Sequence, residues 1–226
     1  VSYKNTQLII DPGPGSLVRC IQARPKLDPS KLDGIILTHK HLDHSGDLPV
    51  MIEAMTEGGF KKRGVLFCPS DALEKEDRVV PGYALEFPEK IEILKPNTDY
   101  LIKDIKFKTS PPHLHPVETY GLKLDFEKTK IGLMVDTAYS DGLVDFYKRI
   151  DILILAVVFF QPREDVQHLS LAEAEILIKK IKPKKVILTH FGMTMLKAKP
   201  HVCAEDLTKR INIEIISAYD GMSLDF

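Results

Sequence analysis

The chain has 226 residues, 44% of them hydrophobic, and a formal net charge of −1. That is enough apolar material for one sizeable core, and no linker-like stretch divides it, so a single domain over residues 1–226 is expected. The near-neutral charge neither favours nor excludes an anionic substrate, and the apolar run at 152–160 is far too short to span a membrane.

The first element is Leu8-Ile9-Ile10-Asp11, a short apolar strand ending in a carboxylate before Pro12-Gly13. An amphipathic helix follows over 16–24, opened by Pro14-Gly15-Ser16 with the serine as cap. Gly34-Ile35-Ile36-Leu37-Thr38 reads as a buried strand, and His39-Lys40-His41-Leu42-Asp43-His44 comes directly after it. A second helix is expected over 45–57, closed by Gly58-Gly59. Val65-Leu66-Phe67-Cys68 is a strand ended by Pro69. Strands at 105–109, 120–126 and 130–135 follow, the last two joined by the turn Glu127-Lys128-Thr129. A helix at 141–150 leads into a strand at 151–158. The helix at 170–181 carries a capping-box pattern, Ser170-x-x-Glu173, and stops before Pro183. The strand Val186-Ile187-Leu188-Thr189 then delivers His190. Strands alternate with helices, yet several strand pairs are hairpin-like, which predicts mixed sheets.

Four metal-binding side chains within six residues make 39–44 the most informative stretch. At a strand end, His39 and His41 project to the same side, while Asp43 and His44 follow where the chain turns. Imidazole with carboxylate suits zinc, or manganese or iron. Two phrases recur. Ile35-Ile36-Leu37-Thr38-His39 is echoed by Val186-Ile187-Leu188-Thr189-His190, and Leu8-Ile9-Ile10-Asp11 by Leu133-Met134-Val135-Asp136. Each is a buried strand presenting a ligand type at its carboxyl end. Cys20, Cys68 and Cys203 are odd in number and outside any Cys-x-x-Cys spacing. With nothing resembling a signal peptide at the N-terminus, a reducing cytoplasm is expected.

The hexapeptide resembles the His-x-His-x-Asp-His signature of the metallo-β-lactamase superfamily of binuclear metal hydrolases. Asp11, His115, Asp136 and His190 fall in the order of that family's other motifs. The resemblance implies a four-layer αββα sandwich with two mixed sheets and a metal cleft along one edge of the β layers. It implies two divalent ions, one held by His39, His41 and His115 and the other by Asp43, His44 and His190, with Asp136 bridging. Asp11 would brace the histidine loop rather than ligate. His115 is preferred to His113 because the family spaces this histidine six residues before a glycine, here Gly121; His113 is then a supporting or exposed residue. His201 reads as ordinary surface. Family members usually begin with a further strand and a glycine-rich loop, so loss of a first strand from this sequence is the expectation.

Gln167-His168-Leu169-Ser170 resembles the phosphodiesterase branch, including ribonuclease Z and cyclic phosphodiesterases, in which such a histidine lies close to the scissile phosphate. Asp43 and His168 are therefore the expected catalytic residues, Asp43 doubling as a ligand. The implied activity is cleavage of a small or cyclic phosphodiester by a metal-bridging hydroxide. The alternatives are a ribonuclease Z-like RNA-processing enzyme, a thioester or lactone hydrolase on the same metals, and a non-catalytic metal-binding protein. Ribonuclease Z proteins usually carry a transfer-RNA-gripping arm between the positions matching His115 and Asp136, where this chain has only a compact connection. The basic clusters at Lys61-Lys62-Arg63 and at Lys179, Lys180, Lys182, Lys184 and Lys185 read as solvated surface, with RNA as the other partner to consider. A homodimer is suggested by the family alone.

Overall fold

A computed structural model describes residues 1–225. They form two compact units, one comprising Val1–Lys106 with Val117–Tyr120, the other Phe107–Pro116 with the chain from Gly121 onward.

In the first unit, β1 (Ser2–Tyr3) and β2 (Thr6–Ile10) form an antiparallel hairpin, so a paired strand precedes the Asp11 motif. Next come α1 (Ser16–Gln22), β3 (Gly34–Ile36), α2 (Leu42–Ser45), α3 (Leu48–Met55), β4 (Val65–Cys68), β5 (Lys90–Ile93) and β6 (Asp99–Ile102). The sheet order is β1-β2-β3-β4-β5, parallel from β2 onward. Ile35 and Leu66 from the strands, with Leu37 just past β3, pack with Leu48, Met51, Ile52 and Met55 of α3, all at most 1% exposed. Each such side chain contributes about 1.5–3 kcal/mol on burial. All three residues of β3 are buried, which is why it reads as an unbroken apolar run rather than an alternation.

Two expectations are corrected in this unit. The helix over 45–57 is broken into α2 and α3, with Pro49 in the first turn of α3, where its missing N–H costs no hydrogen bond. Ser16 is not the cap of α1. That position is Gly15 at φ 88°, while the Ser16 hydroxyl donates to the Gly13 carbonyl. The α1 amide of Leu17 finds its acceptor instead in Asp47, at 2.9 Å. The break that frees Asp47 thus also supplies the missing cap.

In the second unit, β7 (Ile105–Pro112), β8 (Tyr120–Asp125), β9 (Lys130–Met134), α4 (Val144–Tyr147), β10 (Ile152–Ala156), α5 (Leu171–Ile181), β11 (Lys185–Thr189), α6 (Met193–Lys197), α7 (Pro200–Ile211) and β12 (Glu214–Ser217) follow in order; β7 and β8 each begin within the first unit. Its strands run β12-β11-β10-β9-β8-β7, with β8 and β9 antiparallel and β9 to β12 parallel. Both sheets are therefore mixed, as expected. Tyr147, Leu153, Leu155, Leu177, Ile178, Val186, Leu188 and Leu207 are fully buried.

The capping box appears as read: Ser170 Oγ accepts from the Glu173 amide, and the Glu173 carboxylate accepts from the Ser170 amide at 2.8 Å. The helix expected at 141–150 shrinks to a 3-10 turn at Asp141–Leu143 and the four residues of α4; Lys148 leaves it in extended conformation and Arg149 turns left-handed at φ 61°. No helix among the described residues is long and apolar enough to cross a membrane.

Candidate metal centre

In the first unit the chemistry begins at Asp11, the residue after β2. It sits at φ 49°, a left-handed conformation that is uncommon for a non-glycine residue and that aspartate tolerates better than most. Both of its carboxylate oxygens are engaged. Oδ1 accepts from the buried Thr38 amide at 2.7 Å, and Oδ2 accepts from the Thr38 hydroxyl at 2.6 Å and from His44 Nδ1 at 2.9 Å. Asp11 thus ties the end of β2 to the loop after β3.

Tautomers follow from these bonds. Since Asp11 is an acceptor, His44 carries its proton on Nδ1 and keeps the Nε2 lone pair for ligation. The single Thr38 proton is spent on Asp11, so the 3.2 Å contact with His39 Nδ1 requires that nitrogen to donate, again leaving Nε2 as the electron-pair donor. The His39 ring is 4.0 Å from that of His44 and 5.0 Å from that of His41. Ligand atoms of Asp11, His39 and His44 lie within 4.8 Å of one another. Asp43 is the exposed member, its side chain 60% accessible.

The hexapeptide backbone is fixed as firmly as its side chains. The Ser45 hydroxyl faces the Lys40 and His41 carbonyls at 2.9 and 3.0 Å, and the Lys40 ammonium pairs with Asp77 at 2.7 Å. A Cβ added to Gly13 would collide with the Asp43 carbonyl, and the Asp47 amide donates to the Pro12 carbonyl at 2.8 Å. The Pro12-Gly13 turn is therefore a backbone shelf for the ligand loop, open only to a residue without a side chain.

In the second unit the centre is Asp136, just past β9 and 2% exposed. Its Oδ2 is 3.4 Å from His168 Nε2, and its Oδ1 is 3.6 Å from His190 Nε2. His190 follows β11 at φ 60°, repeating the left-handed strand end of Asp11. His115 Nδ1 donates to the Gln167 carbonyl at 3.2 Å, so its Nε2 is the ligating nitrogen. The His115 and His168 rings meet edge to face at 5.1 Å, and ligand atoms of His115, Asp136 and His168 lie within 4.8 Å of one another.

His113 is not exposed; it is 5% accessible and belongs behind Asp136. Burial pushes its imidazole down to about 4, so it is neutral at pH 7. Its Nδ1 donates to the Asp136 carbonyl at 3.0 Å, and its Nε2 faces the Tyr147 hydroxyl at 3.4 Å. Gly121 makes this possible, because a Cβ there would strike both Tyr147 and His113. Thr38, Tyr147 and the Gln167 carbonyl are supports that sequence reading did not single out. The recurrence of threonine at 38 and 189, each before a histidine, was the one available signal, and it points only to Thr38. His201 lies on α7 and is exposed, as expected.

Residues 6–191 match the family model described as a beta-lactamase superfamily domain. The chain belongs to this superfamily. An uncharacterized protein of Methanocaldococcus jannaschii is 29% identical over 222 residues, covering 96% of this chain and 82% of that protein. Among solved structures, the metallo-β-lactamase fold protein YhfI of Bacillus subtilis superposes with TM-score 0.81 at 20% identity, covering 96% of this chain and 86% of that one. A diphosphatase from the PhnP family gives 0.74 at 21%, covering 100% and 81%. Human tRNase Z, short form, gives 0.72 at 18%, covering 98% and 89%. These likenesses establish the metallo-β-lactamase fold. Superfamily membership implies a metal-dependent hydrolase with divalent ions. The donors present fit that requirement, being imidazole nitrogens with preset tautomers and carboxylates.

Proposed function

We propose that the chain is a phosphodiesterase acting on a small or cyclic phosphodiester, with two divalent ions, zinc before manganese or iron. His39, His41 and His115 would hold one ion, and Asp43, His44 and His190 the other, with Asp136 serving both. Ions bound there supply Lewis acidity and acidify coordinated water. The observation that carries the phosphodiesterase reading is His168. It stands beside Asp136 and edge-on to His115, and its side chain is 22% accessible. An imidazole so placed can hold a proton for the leaving oxygen or donate a hydrogen bond to a non-bridging oxygen. The Asp136 carboxylate faces its Nε2 at 3.4 Å. Likeness to a diphosphatase supports hydrolysis at phosphorus.

The likeness to human tRNase Z favours precursor transfer RNA as the second reading. Between His115 and Asp136, however, the chain holds little more than the β8–β9 hairpin with its short turn, which offers no arm to grip a large RNA. The cytoplasm is the expected compartment.

The test combines elemental analysis with turnover of bis(p-nitrophenyl) phosphate, 2′,3′-cyclic nucleotides, precursor transfer RNA, thioesters, lactones and β-lactams. Phosphodiesters should be cleaved, and His168→Ala should lower the rate about 100-fold at unchanged metal content. Turnover of the carboxyl substrates alone overturns the reading.

A further inference from the structure

The segment after β10 leaves the sheet as Val157-Val158-Phe159-Phe160 and returns at Leu169-Ser170 to start α5. The two ends are pinned together. The Phe159 amide donates to the Leu169 carbonyl at 3.1 Å, the Leu171 amide donates to the Phe159 carbonyl at 2.9 Å, and Phe159 bridges Ser170. Residues 160–168 thus form a closed loop on a fixed base, with His168 at its foot.

At that foot a succession of ring contacts begins. The His115 ring meets His168 edge-on at 5.1 Å, His168 meets Phe159 edge-on at 6.1 Å, and the Arg163 guanidinium stands over the Phe159 ring, its Cζ 5.3 Å from the centroid. Phe159 is the half-buried platform of this array, and Arg163 is its exposed end, 52% accessible. The guanidinium lies over the ring and is paired with its neighbour Asp165, which accepts from both Nε and an Nη. Stacking on an aromatic face pre-orients the fork that matches phosphate. The Asp165 partner shows the fork in its bidentate geometry. Being exposed, that pair is weak, and an incoming phosphate can replace it. Glu164 is the other charge on the tip, and it has no ion pair with Arg163.

We propose that Arg163 is a specificity-determining residue that binds a second phosphate of the substrate, one ring beyond the phosphodiester at His168. The proposal rests on the phosphodiesterase reading and narrows it to small phosphodiesters that carry a second phosphate group, for which nucleotides are the probes.

Two measurements test it. In the first, the wild type and Arg163→Ala turn over the p-nitrophenyl ester of thymidine 5′-phosphate, with and without a 3′-phosphate. The variant should raise KM about tenfold for the doubly phosphorylated ester only, with Arg163→Lys in between. In the second, calorimetric titration compares thymidine 3′,5′-bisphosphate with the 3′- and 5′-monophosphates. The bisphosphate should bind the wild type about tenfold more tightly than either monophosphate, and this preference should vanish in Arg163→Ala. Equal effects on both esters, or a preference that survives the substitution, overturn the proposal. Should neither ester be cleaved, the phosphodiesterase reading fails on its own, while the titration still decides whether Arg163 reads a second phosphate. Unchanged thermal melting of the Arg163 variants shows that the loop is otherwise intact.

Discussion

The two units bring comparable donors to the chemistry by opposite routes. In the first, the ligand candidates are packed into one hexapeptide, and a single carboxylate, Asp11, holds the Thr38 that precedes it and one of its histidines. In the second, His115, Asp136, His168 and His190 come from four separate strand ends and loops, and their supports are equally scattered: the Gln167 carbonyl, His113 and Tyr147. A local site is rigid because few bonds fix many atoms. A dispersed one depends on the whole sheet holding register. Damage to the first unit should therefore be sharp and positional, and damage to the second should depend on buried polar groups and their protonation.

The largest effect is expected at the shelf under the hexapeptide. Gly13→Ala drives a methyl group into the Asp43 carbonyl and should cost about 3 kcal/mol or more. Thermal melting would then fall by roughly 6–12 °C. In the second unit, Gly142→Ala meets only an ordinary contact with Ser140 and should melt close to wild type; equal losses at the two glycines would erase the contrast.

Protonation tests the second unit. His113 is neutral in the fold because burial pushes it down to about 4 from the ordinary 6.5. Between those values the unfolded chain binds the extra proton, so stability falls as pH drops from 6.5 towards 4 and levels off below. The loss from this group amounts to a few kcal/mol at most. His113→Asn, which keeps a donor for the Asp136 carbonyl, should show a shallower slope over that window in chemical denaturation. Parallel slopes would exclude His113 as the source.

Asp11→Ala leaves the Thr38 amide, buried with its residue, without an acceptor, at about 2 kcal/mol. By freeing the His44 ring it should also weaken zinc binding about 10–100-fold in a chelator competition. Retained affinity would make Asp11 purely a folding residue. The smallest measurable loss is expected at Ser170→Ala, which removes one half of the capping box, about 1 kcal/mol and roughly 2–4 °C.

Legibility in the sequence followed the same division. The hexapeptide, the Asp11 strand, β4 and the Ser170 capping box were readable because each carries a local pattern of residue types, although the bonds that hold Asp11 and the strands reach far along the chain. The weakly apolar strands were not. β5, Lys-Ile-Glu-Ile, and β12, Glu-Ile-Ile-Ser, are held by pairing with β4 and β11, and nothing in four mixed residues announces it. The expected helix at 45–57 was legible in composition but not in continuity, since Asp47, at the break before α3, is bonded to α1, 30 residues earlier in the chain. His113 could be read as exposed or buried because its setting depends on Gly121 and Tyr147, which only tertiary packing assembles.

Sequence alone pointed to mixed sheets and to the types of donor at each strand end, since periodicity and short-range spacing carry that information, while its motifs resembled the superfamily that the family model then established. Tertiary structure decided which nitrogen of each bonded histidine holds its proton, which residues brace Asp136, and where Arg163 comes to rest above Phe159. Those properties are set by hydrogen bonds and ring contacts between residues far apart in the chain, and such pairings leave no local pattern to read.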